Sequence, residues 1–192
     1  EREGEALHLQ GNLAARQGDR NTAMNYWQDA LRLAEENNNN TLAIQLRCDI
    51  AQARKVNGDY KAALDDYERA LVMLSHNDHA PTRGLVLSNA ATLYTEMGDV
   101  ETAQAFYRES IEIARATQDQ HAESLRIGNL GWFYALTGRP QLAIGELEHA
   151  LRLSRQLDNT LMVAVQTNNL ARTYYQLEDY ETARTLYKQS VA

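Results

Sequence analysis

Apolar residues along this chain recur in steps of three and four, and the whole pattern then returns every forty residues. Steps of that size put side chains on one face of a helix, so each row of forty predicts helices with a single buried stripe. Gly18, Gly58, Gly98 and Gly138 punctuate the rows, and Ala23, Ala63, Ala103, Ala143 and Ala183 follow in register. Glycine tolerates the left-handed conformation that closes a helix. Asp19, Asp59, Asp99 and Asp179 stand where a side-chain oxygen can cap the helix that follows. The spacing predicts ten helices in five helix-turn-helix rows: 1–40, 41–80, 81–120, 121–160 and 161–192. First helices are expected at about 3–17, 41–57, 81–97, 121–137 and 161–177, and second helices at about 20–36, 60–75, 100–116, 140–156 and 180–191. Two rows depart from the punctuation. Glu178 replaces the glycine in the last. Arg139-Pro140 opens a second helix in the fourth, with proline near the first helical position, where its missing N–H costs nothing.

Reading down the rows separates packing positions from free ones. The second helices carry apolar columns Ala23/63/103/143/183, Trp27/Tyr67/Tyr107/Leu147/Tyr187 and Leu31/Leu71/Ile111/Leu151/Val191. The small column Ala30/Ala70/Ser110/Ala150/Ser190 lets helices approach closely. The first helices answer with Ile50/Ala90/Leu130/Leu170, Gly11/Ala51/Ala91/Gly131/Ala171 and Tyr94/Tyr134/Tyr174. Large residues face small ones, as interdigitated packing requires.

Composition narrows the function classes. The 192 residues are 44% hydrophobic, yet no apolar run approaches the twenty residues of a membrane span, and the mean hydropathy is −0.55. A net charge of −7 lacks the basic stripe that phosphate binding needs, so nucleic acid is not expected as the main partner. Cys48 is the single cysteine, so no intrachain disulfide is possible and a cytoplasmic setting is expected. The start at Glu1, without methionine, is read as a segment of a longer protein.

The columns resemble the tetratricopeptide repeat, whose signature runs W-x2-L-G-x2-Y, then A-x3-F, then P. Asn129-Leu130-Gly131-Trp132-Phe133-Tyr134 fits the L-G-x2-Y segment, and Ala103-Gln104-Ala105-Phe106-Tyr107 fits A-x3-F with tyrosine in the aromatic place. Two columns depart from it. The leading tryptophan column holds Leu7, Arg47, Leu87, Ile127 and Thr167. The late proline column holds Glu35, Ser75, Arg115 and Arg155, so the second helix is expected to run on, lengthening the repeat beyond the usual thirty-four residues. Such long repeats resemble those of spindle-orientation adaptors, kinesin light chains and the sensor arms of bacterial signalling ATPases. The resemblance covers essentially the whole chain. It implies an all-α fold, a right-handed α-solenoid of ten antiparallel helices in one domain. It also implies a protein-interaction scaffold that binds a peptide or helical segment in a concave groove lined by the first helices. A sensory or regulatory arm of a multidomain signalling protein is the alternative.

Within that frame, the first-helix columns free of packing duty name the candidate groove residues: Asn12, Asp49, Gln52, Asn89, Asn129, Trp132, Asn169 and Arg172. Asn89, Asn129 and Asn169 share one register. A carboxamide can bond both N–H and C=O of a peptide backbone, or it can tie neighbouring helices together; both readings stand. First helices separated by their partners would lie about 15–20 Å apart, one rung for every fifth or sixth residue of an extended peptide, and first helices that crowd closer would shorten the interval. Trp132, a large aromatic outside the core columns, reads as an interface anchor or as filler between first helices. Arg172 could clamp a carboxylate or stand solvated. Leu85, Leu125 and Val165 occupy the place of the basic residue in the two-carboxylate clamp of chaperone-binding members, so an acidic chaperone tail is not expected.

Metal and catalytic chemistry find little footing. His76-Asn77-Asp78-His79 lies where other rows carry plain linker, and reads as a solvated loop. Cys48 has no histidine at a meaningful spacing and reads as a free thiol facing the groove. No phosphate loop or hydrolase motif occurs, so no enzyme, cofactor or metal is expected. Leu186 and Val191 on the last helix are expected to lie uncovered, which predicts end-to-end self-association or a further repeat.

Overall fold

A computed structural model describes residues 2–74 and 79–190, and Ser75 to Asp78 and Val191 lie outside that range. The described residues form ten α-helices and no strands: α1 (Arg2–Arg16), α2 (Arg20–Glu36), α3 (Asn40–Val56), α4 (Tyr60–Leu74), α5 (Ala80–Met97), α6 (Val100–Ala116), α7 (Gln120–Leu136), α8 (Pro140–Gln156), α9 (Thr160–Gln176) and α10 (Tyr180–Ser190). The departure from the proline column is structural: Glu35, Arg115 and Arg155 all lie inside their helices, which run seventeen residues each.

The turns explain the forty-residue beat. Gly18, Gly58, Gly98 and Gly138 adopt positive φ between 73° and 84°, and Glu178 is held at 63° in the same place. In the first turn the Asp19 N–H reaches back to the Ala14 carbonyl at 3.0 Å, satisfying a carbonyl that the helix end leaves open. The hand-over between rows closes the same way without glycine. Asn38, Gln118 and Asp158 take positive φ there, and the Asn39 N–H bonds the Ala34 carbonyl at 2.8 Å. Asp19, Asp59, Asp99 and Asp179 accept the N–H three residues on, as the spacing predicts, and Asn39, Asp119 and Asn159 cap first helices likewise.

The chain divides into two compact units, Glu1–Val86 and Leu87–Ala192. In the first, α1 packs on α2, α2 on α3 and α3 on α4, around Ala23, Trp27, Ala30, Leu46 and Ile50. Arg47, in the departed tryptophan column, is buried and ion-paired: its guanidinium reaches Glu35 of α2 and, at 3.3 Å, Asp66 of α4, which also pairs with Arg54. In the second, α6 to α10 pack in sequence around Tyr107, Leu130, Phe133, Leu147 and Leu170. The alanine column and its small neighbour are fully buried throughout, from Ala23 and Ala30 to Ala143 and Ala150. A Cβ built on Gly131 would lie 2.7 Å from Leu147 Cγ, so glycine there is what lets α8 close on α7.

Candidate functional site

First helices of successive rows touch directly, α1 against α3 and α7 against α9. The wide spacing expected from the sequence is thereby corrected. Packed helices lie about 8–10 Å apart, so an extended chain crossing them would meet a new first helix about every third residue.

The candidate residues divide by what already holds them. Asn12 Oδ1 accepts the Trp27 indole N–H at 3.0 Å, Gln52 Oε1 is 3.5 Å from the Tyr67 hydroxyl, and Thr92 Oγ1 accepts the Tyr107 hydroxyl at 3.0 Å. One tie thus recurs in three rows, each satisfying the polar tip of a buried second-helix aromatic. A second tie joins rows through residues 41 apart: His8 Nε2 with Asp49 Oδ2 at 2.7 Å, and Asn129 Nδ2 donating to Ser88 Oγ at 3.2 Å. Asn12, Asp49 and Asn129 therefore spend polar atoms on the fold. Asn89 is half-buried.

The first tie is absent within row four and the second between rows four and five, and that is where the free chemistry lies. Leu147 replaces the second-helix aromatic, has no polar tip to satisfy, and seats beneath Gly131. The position used elsewhere for the first tie is Trp132, half-buried against the core of its unit. Its ring lies under the Arg172 guanidinium, 4.2 Å from centroid to Cζ. At the second tie, the residue matching Ser88 is Gly128, where a Cβ would lie 2.1 Å from Nε2 of buried Gln166. No side chain there can reach Asn169, and among the described residues the Asn169 carboxamide has no partner.

These residues share one face. Leu125, Asn129 and Trp132 follow at i, i+4 and i+7 along α7, and Val165, Asn169 and Arg172 do so along α9. Leu125 and Val165 are exposed, at 39% and 38%, and Arg172 is exposed too. Arg172 is the one charged side chain among these six. Leu85, of the first unit, is likewise exposed.

Cys48 is half-buried in α3, and burial, with Asp49 and Asp66 nearby, pushes its thiol up to about 12. It stays protonated at neutral pH, the opposite of what a nucleophile needs. Among the described residues no cluster of three or more His, Cys, Asp or Glu could hold a metal ion, and no helix is long and apolar enough to cross a membrane. The last helix differs from expectation: Leu186 is half-buried against the core of its unit. The open feature there is a groove of about 700 Å³ lined by Tyr175, Tyr180 and Tyr187. The sequence columns singled out Trp132 and Asn169 as groove candidates, and Trp132 packs against the core of its unit. They did not mark Ser88, Gly128 or Gln166, whose effect depends on which residue faces which across α7 and α9.

The tetratricopeptide repeat family model matches residues 41–116, 82–156 and 120–192, and that of anaphase-promoting complex subunit 5 matches 6–48. A search of curated proteins finds no match. Among solved structures, BtubC (BKLC) from P. vanneervenii is similar at 20% identity and a TM-score of 0.83, covering 97% of this chain and 77% of that one. A Q17M form of a putative kinesin light chain with nearly identical TPR-like repeats, from Podosopora anserina, matches at 16% identity and 0.80, covering 99% and 94%. A Rap protein complexed with competence and sporulation factor matches at 15% identity and 0.79, covering 99% of this chain and 63% of that one. At these identities the likeness establishes the fold, an α-solenoid of helix-pair repeats.

Proposed function

The chain belongs to the tetratricopeptide repeat family, and on that premise we propose that it is a non-enzymatic scaffold whose first-helix layer binds a peptide or helical segment of another protein. The observation that carries this reading is the pair Trp132 and Arg172. The aromatic is half-buried against the core of its unit and holds an arginine across the α7–α9 contact with no structural tie of its own row to serve. Aromatic and arginine anchors are the residues on which interface energy concentrates. The adjoining Leu125 and Val165 offer apolar surface, and Asn169 offers an uncommitted carboxamide. The net charge of −7 speaks against nucleic acid as partner, and a cytoplasmic site of action belongs to the same proposal.

The test is affinity capture with the wild-type chain followed by Trp132→Ala and Asn169→Ala. Both variants keep their helical circular dichroism and lose the captured partner, with Kd raised about tenfold or more for Trp132→Ala. Undiminished affinity in folded Trp132→Ala sinks the assignment of this face.

A further inference from the structure

Resting on that reading, we propose that the inner face of α7 and α9 takes an extended protein segment bearing an aliphatic side chain and, three residues away, a carboxylate. The carboxylate meets the Arg172 guanidinium, and the aliphatic group lies against Leu125 and Val165.

Polarity along the face sets the order. Leu125 and Val165 stand one to two turns nearer the helix starts than Trp132 and Arg172. The seven-residue step from one end of the face to the other spans about 10 Å of helix. A chain in the extended polyproline II conformation has three residues per turn and rises about 3.1 Å per residue, so groups three residues apart lie on one side of it about 9 Å from each other, which fixes the spacing of its two groups. The charge follows from Arg172. Among the described residues no carboxylate pairs with it, the Trp132 ring lies 4.2 Å from its Cζ, and the Arg172 side chain is exposed. A guanidinium fixed on an aromatic ring loses less freedom when its planar fork meets a carboxylate. Backbone conformation follows from Asn169, which lies between the apolar and cationic ends. Its carboxamide can bond an exposed N–H or C=O, and an extended segment presents these where a helix uses them internally.

The experiment uses fluorescein-labelled glycine-serine peptides of about ten residues carrying Leu and Asp three apart, read by fluorescence polarisation against the whole chain. The Leu–Asp peptide binds about tenfold tighter than its Asp→Asn counterpart, and moving the two residues six apart abolishes the preference. On Arg172→Gln the two peptides bind alike, and on Arg172→Glu a Leu–Lys peptide outbinds Leu–Asp; far-UV circular dichroism verifies that both variants fold. Equal binding of the Asp and Asn peptides to the wild type, no binding of either, or a preference kept on Arg172→Gln overturns the inference. If that happens while Trp132→Ala still loses the captured partner, the groove reading stands and only the carboxylate assignment falls.

Discussion

Asn129 and Asn169 occupy the same column one repeat apart, and the structure predicts opposite consequences for truncating them. Asn129→Ala removes the donor to Ser88 Oγ at 3.2 Å, and Ser88 is only 3% exposed. Leaving a buried hydroxyl without its partner costs about 1–3 kcal/mol. Alanine in a helix interior returns about 0.7 kcal/mol of propensity, so the net loss is about 0.3–2.3 kcal/mol. Asn169→Ala removes no partner among the described residues and keeps the propensity gain, so its stability is unchanged or raised by up to about 0.7 kcal/mol. Urea unfolding followed by far-UV circular dichroism measures both, and comparison requires equal slopes. A double-mutant cycle with Ser88→Ala isolates the tie, with a coupling of about 0.5–1.5 kcal/mol for Asn129 and none for Asn169. Partner affinity reverses the ranking, with Asn169→Ala the more damaging. Equal stability losses in the two variants, or strict additivity of Ser88→Ala and Asn129→Ala, refute the division of this column into a tie and a free rung.

Four further outcomes follow from particular contacts. Asp66→Ala leaves buried Arg47 with Glu35 alone and costs about 3 kcal/mol in urea unfolding, largely recovered by Arg47→Met with Asp66→Leu; a loss below about 1 kcal/mol contradicts the buried pairing. Glu178→Gly relieves a side chain held at φ 63° and raises stability by about 1 kcal/mol, and a loss in the same assay would show that the Glu178 side chain serves the turn. The Cys48 thiol ionises near 9.0 in the unfolded chain and at about 12 in the folded one, so unfolding releases the proton across that window and stability falls as pH rises through it; iodoacetamide labelling that speeds up near pH 9 in the folded protein refutes the shift. Self-association through the Tyr175–Tyr180–Tyr187 groove gives a light-scattering mass that rises with concentration and is abolished by Tyr187→Glu, and a constant monomer mass counts against it.

What the sequence determined by itself was everything that repeats. Local steric rules act the same way in each row, so a glycine, a capping aspartate and apolar steps of three and four fix helices, turns and buried columns without knowledge of neighbours. Even the departures were informative, since missing prolines meant helices that run past Glu35, Arg115 and Arg155. The glycine-free hand-over turns at Asn38, Gln118 and Asp158 are not legible in the sequence, because they are closed by main-chain 6→1 bonds, such as the Asn39 N–H to the Ala34 carbonyl, that call for no particular side chain. Tertiary structure alone decided which column residues are spent and which are free. Asn129 and Asn169 look alike along the chain. Only the packing of α7 on α9 sets Gln166 against Gly128, leaves Asn169 unclaimed, and lays Arg172 on Trp132. A hydrogen bond belongs to two residues that meet in space, and the chain's own periodicity carries the first of them without the second.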